Sequence, residues 1–91
     1  KFTKGDNMVR GYVLIETDVA SAKSVGLELT SLSYAGTTIV SVDTVTGPFD
    51  VIVQIEATDL DTLGNSITDA IQSVDGVQRT TTCLAVRLTK E

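Results

Sequence analysis

Histidine and tryptophan are both absent from this chain. The commonest general base, the commonest metal-binding side chain and the best stacking residue are therefore missing, and most enzyme chemistries have no obvious carrier. A single cysteine, Cys83, excludes an internal disulfide and suits a reducing compartment. It has no histidine and no second thiol to work with, so it reads as a small packing residue in mid-strand. Aromatic residues make up 4% of the sequence, and Phe2, Tyr12, Tyr34 and Phe49 are not spaced as a base-stacking pair on neighbouring strands. Basic residues are scarce: seven against twelve acidic ones give a net charge of -5. Such a chain repels a phosphate backbone and carries no basic stripe, which excludes direct nucleic-acid binding. The apolar runs, Tyr12 to Ile15 and Val51 to Val53, fall far short of a membrane span. With no signal-peptide pattern at the start, these absences predict a cytoplasmic protein.

What is present suffices for one folded domain, with 42% hydrophobic and 21% charged residues in 91 positions. Residues 1–7 are polar and aperiodic, a leader or cloning remnant, and the domain is expected over 8–91. From Met8 to Glu16, Val9, Val13 and Ile15 alternate with Tyr12 and Leu14, predicting a strand with two partly apolar faces. Thr17 and Asp18 offer capping oxygens for a helix whose Ala22, Val25, Leu29 and Leu32 recur at helical spacing. Strands are predicted over Thr38 to Thr46 and Asp50 to Ala57, joined by a tight turn into an antiparallel hairpin. Thr58 and Asp59 cap a second helix with Leu60, Leu63, Ile67, Ile71 and Val74 as its apolar stripe. Asp75 and Gly76 stop it, and Val77 to Leu88 forms the last strand.

The order βαββαβ, with Ile15-Glu16 and Ile55-Glu56 each leading into a capped helix, predicts a duplicated plan. Its α+β, ferredoxin-like solution is a four-stranded antiparallel sheet with both helices on one face. Because the strands carry apolar residues in both registers, the uncovered face is expected to be an apolar patch that dimerises. Gly64 inside the second helix predicts close packing of helix on sheet.

The candidate chemistry is sparse. Glu16 and Glu56 precede helices and read as solvated strand-end charges, while Asp59 and Asp61 suit the positive end of a helix. No metal or cofactor site is expected. Two features stand out: the turn Thr46-Gly47-Pro48-Phe49-Asp50, and the hydroxyl run Thr80-Thr81-Thr82 after Arg79, which alternates across a strand. Together they make a small polar site in which Asp50 holds an amino group, while hydroxyls and backbone amides at Gly47 and Thr80 to Thr82 hold a carboxylate.

Three segments stand in order: Tyr12-Val13-Leu14-Ile15-Glu16-Thr17, Val45-Thr46-Gly47-Pro48-Phe49-Asp50-Val51 and Gly76-Val77-Gln78-Arg79-Thr80-Thr81-Thr82-Cys83. With them, the chain from Met8 to about Leu88 resembles the effector-binding (RAM) domain of the Lrp/AsnC transcription regulators. The resemblance implies a cytoplasmic, non-enzymatic domain that dimerises through its sheets, builds octamers or similar rings, and binds small amino acids between dimers. It places Gly47, Pro48, Phe49, Asp50, Thr80, Thr81 and Thr82 at or near the ligand. The family's helix-turn-helix module does not precede the first strand here, so the chain is similar to stand-alone RAM proteins, or is part of a longer regulator. The loop from Ser33 to Thr37 is longer than the family's usual Pro-Gly turn. Besides an amino-acid sensor, two other readings stay open. One is a ligand-independent oligomerisation subunit for full-length regulators. The other is a small dimeric ferredoxin-like enzyme such as a monooxygenase, against which stand the missing histidine and the lack of an arginine-bearing phosphate loop.

Overall fold

Alternation of apolar and polar side chains makes the strands and decides which way they face. The computed structural model describes residues 8–86. The elements are β1 (Val9–Thr17), α1 (Ala22–Thr30), β2 (Thr37–Thr44), β3 (Val51–Ala57), a wide-turned π segment (Thr62–Ile67) continuing into α2 (Thr68–Gln72), and β4 (Val77–Leu84). They build a four-stranded sheet in the order β2-β3-β1-β4, with all neighbours antiparallel. The expected ferredoxin-like α+β plan is therefore present, and β2 and β4 are its edges.

One sheet face carries the core. Val13 and Ile15 of β1, Val51, Val53, Ile55 and Ala57 of β3, Val25 and Leu29 of α1, and Leu63, Ile67 and Ile71 of the second helix are all fully buried. In an α-helix of 3.6 residues per turn, side chains four apart drift around the axis at each step. The wide turns over Thr62–Ile67 offset that drift, so Leu63, Ile67 and Ile71 stay on one side. Thr68, nearly buried, fits the widened turn by donating its hydroxyl to the Leu63 carbonyl five residues back.

Several expectations need correction. Thr17 and Asp18 do not cap α1; the chain turns first, and the helix starts after Ser21, whose side chain makes no capping bond. Leu60 is not part of the buried stripe but 55% exposed. Gly64 does not mark the close approach, since a methyl group there would meet nothing within 4 Å. The close approach is at Gly11 of β1, where a Cβ would lie 2.8 Å from Leu63 Cδ2 and 2.9 Å from the Cys83 carbonyl. β4 ends at Leu84, although Ala85 still donates to the Arg10 carbonyl at 2.9 Å. The leader 1–7 and the expected continuation through Arg87 and Leu88 lie outside the described residues.

The uncovered sheet face is also less apolar than expected. Register places Leu14 beside Ile52 and Thr81, and Tyr12 beside Gln54 and Cys83. Cys83, expected to pack inside, is exposed on this face of the chain. Arg10 pairs with Glu56 at 3.5 Å, and Arg79 approaches Glu16 at 4.0 Å. An apolar centre of Tyr12, Leu14, Ile52 and Cys83 thus has a charged pair toward each end of β1, and β2 adds Thr38, Ser41 and Asp43 beside β3, with the exposed Val40 at the register shift between Ile39 and Ser41.

Candidate functional site

The two sequence features predicted to cooperate meet at one end of the sheet. Thr80 of β4 pairs with Ile15 of β1, and Ile15 pairs with Val51 of β3, so the three residues share one row. Asp50 precedes that row, and its backbone N–H donates to the Ile15 carbonyl at 2.8 Å. The Gly47–Asp50 turn and Thr80 therefore stand two strand spacings apart, about 10 Å.

Within the turn, Val45 N–H donates to the Asp50 carbonyl at 2.9 Å and closes the hairpin. Gly47, with φ 139°, and Pro48 are exposed at the tip, while Phe49 and Asp50 are half-buried. The Asp50 carboxylate is not idle: its Oδ2 accepts the Thr17 N–H at 2.9 Å. That bond falls where the β1–β4 register shifts between Glu16 and Thr17, freeing an amide from the ladder. Asp50 thereby fixes the end of β1 as well as offering charge at the sheet end.

The hydroxyl run divides between the faces. Thr80 and Thr82 pair with Ile15 and Val13, two core residues, and so lie on the helix side; Thr81 pairs with Leu14 and lies on the open side. Gln72 Nε2 donates to Thr80 Oγ1 at 2.8 Å, and Thr82 Oγ1 lies 3.2 Å from Thr68 Oγ1. Sequence reasoning did not single out Thr68, Gln72 or the Thr17 amide. Thr68 and Gln72 each stand one position after a core residue of the helix, Ile67 and Ile71, and that spacing was the available signal.

Depressions flank α1. One of about 440 Å³ lies between the helices and includes Glu28 and Asp75, and another of about 700 Å³ lies against β2 and includes Lys23 and Thr46. Neither includes Asp50 or the three threonines. At the entrance to the second helix, Asp59 Oδ1 accepts the Thr62 N–H at 2.7 Å, and this bond holds the Asp59 carboxyl below its usual value. Asp59 is thus the cap that the sequence predicted. Among the described residues, no group of three or more His, Cys, Asp or Glu side chains could hold a metal ion, and no helix is long and apolar enough to cross a membrane.

Comparison with known proteins settles the kinship. The family model for the Lrp/AsnC ligand binding domain matches residues 34–91, more than half of the chain. The chain belongs to the Lrp/AsnC ligand-binding domain family. A search of the curated proteins found no match. Among solved structures, TTHA0845 from Thermus thermophilus is 29% identical with a TM-score of 0.76, covering 91% of this chain and 99% of its own. AsnC of E. coli shares the fold with a TM-score of 0.78 at 18% identity, covering all of this chain, which spans 60% of AsnC. The transcriptional regulator NMB0573 of Neisseria meningitidis, solved as an L-Met complex, has a TM-score of 0.71 at 17% identity, and this chain spans 59% of it. Membership in this family points to a regulatory domain. The match from residue 34 onward includes both the Gly47–Asp50 turn and Thr80–Thr82.

Proposed function

We propose that this Lrp/AsnC domain binds a small amino-acid effector at the sheet end formed by Gly47, Pro48, Phe49, Asp50 and Thr80, with Thr81 and Thr82 next along β4, between dimers of itself, and so modulates a partner. The carrying observation is the shared row of Thr80, Ile15 and Val51, with Asp50 just before it. It brings a carboxylate, suited to an ammonium group, and hydroxyl donors, suited to a carboxylate, to one end of one sheet. The depressions beside α1 do not reach these residues, and a second dimer packed against the turn would enclose them. The L-Met complex of the Neisseria regulator supports an amino acid as the ligand class. In this reading the domain covers 8–91, works in the cytoplasm without a cofactor, and has full-length Lrp/AsnC regulators among its candidate partners.

Light scattering behind size exclusion, with and without each proteinogenic amino acid, tests the proposal. An assembly that changes size with one of them supports it and identifies the effector; one indifferent to all of them removes it. A second reading has its own observation in favour: Asp50, Thr80 and Thr82 all have hydrogen-bond partners within the chain. These groups then serve the fold, and the domain is a ligand-independent assembly subunit for full-length regulators. Co-purification with a helix-turn-helix regulator, unaffected by amino acids, distinguishes that reading.

A further inference from the structure

The three threonines look alike in sequence but differ in what their hydroxyl protons do. A threonine hydroxyl has one proton to donate and two lone pairs to accept with. Thr68 donates its proton to the Leu63 carbonyl at 3.1 Å. The 3.2 Å contact between Thr68 and Thr82 then requires Thr82 to be the donor, and the Thr82 proton is engaged inside the domain. Thr81 lies on the other sheet face. Thr80 is in the opposite situation: Gln72 Nε2 donates to its oxygen at 2.8 Å, so a lone pair is occupied and the proton is left to point elsewhere. Thr80 is half-buried on an edge strand, in the row that leads to Asp50.

We infer that Gln72 is a specificity-determining positioning residue, which sets the polarity of Thr80 so that its hydroxyl donates to the carboxylate of the bound amino acid. The inference rests on the amino-acid reading above and deepens it. Asp50 and Thr80 become the two poles of the site, Asp50 toward the ammonium group and Thr80 toward the carboxylate. Thr82 and Thr68 form a closed internal pair that anchors the second helix to β4 and takes no part in ligand recognition. Gln72 touches Thr80 and acts through it. Its amide is a donor here, whereas a carboxylate at position 72 can only accept, so Gln72→Glu would take the Thr80 proton for itself and leave a negative charge where the ligand's carboxylate must sit.

The test is calorimetric titration of the whole chain with L-methionine first and then every other proteinogenic amino acid. The amino acid that binds is then titrated into Q72E, Q72M, T80V and T82V, each checked for an unchanged fold by circular dichroism. Q72E and T80V should weaken binding by about tenfold or more, the scale of one hydrogen bond to a charged group. T82V should stay within about threefold of wild type, and Q72M, which removes the donor without adding charge, should fall between. Replacing the ligand's carboxylate by a carboxamide should cost affinity in wild type and much less in T80V, a difference that a purely structural role would not produce. Q72M keeps the inference testable if Q72E fails to fold.

Wild-type affinity in Q72E would mean that Thr80 already gives its proton to residue 72, and would overturn the inference while leaving the amino-acid reading standing. A loss in T82V equal to that in T80V would overturn it as well. Absence of binding by any amino acid to the wild-type chain would overturn both together.

Discussion

Asp50 has one side chain and two tasks, and its substitutions separate them. The carboxylate accepts the Thr17 N–H at 2.9 Å in a half-buried setting. Asp50→Ala removes that acceptor, leaves an amide unpaired and should lower stability by about 1–2 kcal/mol in urea unfolding. Asp50→Asn retains an acceptor oxygen and should recover most of that stability while losing the charge that holds an ammonium group. If binding falls in both variants but stability falls in Ala alone, the two tasks are separate; equal stability loss in both would mean the charge itself fixes β1. Asp59 gives a pH-dependent counterpart at the start of the second helix. Its carboxyl is held below the usual value by the Thr62 N–H, so its contribution is present above the unfolded-state value and lost as pH falls through the lower, folded one. Protection of the Thr62 amide against hydrogen exchange, taken relative to the intrinsic rate at the same pH, should therefore fall as acid protonates Asp59, and Asp59→Asn should flatten that dependence. Gly76 is constrained in a different way, with φ 96° and a would-be Cβ 3.0 Å from Val25 Cγ2. Gly76→Ala should cost about 2 kcal/mol or more, measured by urea unfolding, because backbone strain and crowding add.

At the scale of elements, the second helix shows what a linear reading captures and where it stops. The spacing of Leu63, Ile67 and Ile71 marked the buried stripe, and Asp59 marked the cap, because both follow from local periodicity and backbone chemistry. The π widening was not legible, since it depends on the Thr68 hydroxyl reaching the Leu63 carbonyl while also meeting Thr82 on a distant strand. Gly64 misled for the same reason: a glycine on a helix signals close packing only if that side faces the sheet, and here the contact is made through Gly11. Thr17 and Asp18 resembled a cap, but the Thr17 amide is claimed by Asp50 across the sheet, and α1 starts later. The candidate site was legible as two motifs; the division of its hydroxyls between faces needed the β1–β4 register. Stability of this helix should reside in its stripe. Ile67→Ala, at a fully buried position, should destabilise by about 2–5 kcal/mol in urea unfolding, whereas Leu60→Ala, half-exposed, should change stability by less than about 0.5 kcal/mol.

For the whole molecule, the open sheet face is the surface on which association of copies can be tested. Its centre, Tyr12, Leu14, Ile52 and Cys83, is apolar but narrow, and Arg10–Glu56 and Glu16–Arg79 lie toward opposite ends of β1. A second copy stacked on this face would bury the apolar centre and bring its own charges against the border. A net charge of -5 works against close association of copies, and apolar burial has to exceed that repulsion. Association should therefore tighten as salt screens the excess negative charge, provided that burial rather than ion pairing holds the dimer. Leu14→Glu puts a carboxylate in the middle of the face without touching the core, since Leu14 is partly exposed and points away from it. Light scattering should show this variant as a folded monomer at concentrations where wild type is a dimer or larger ring. A variant that assembles like wild type would place the interface elsewhere, on the helix side or at the β2 and β4 edges, and the sheet face would then be a surface exposed in the assembly.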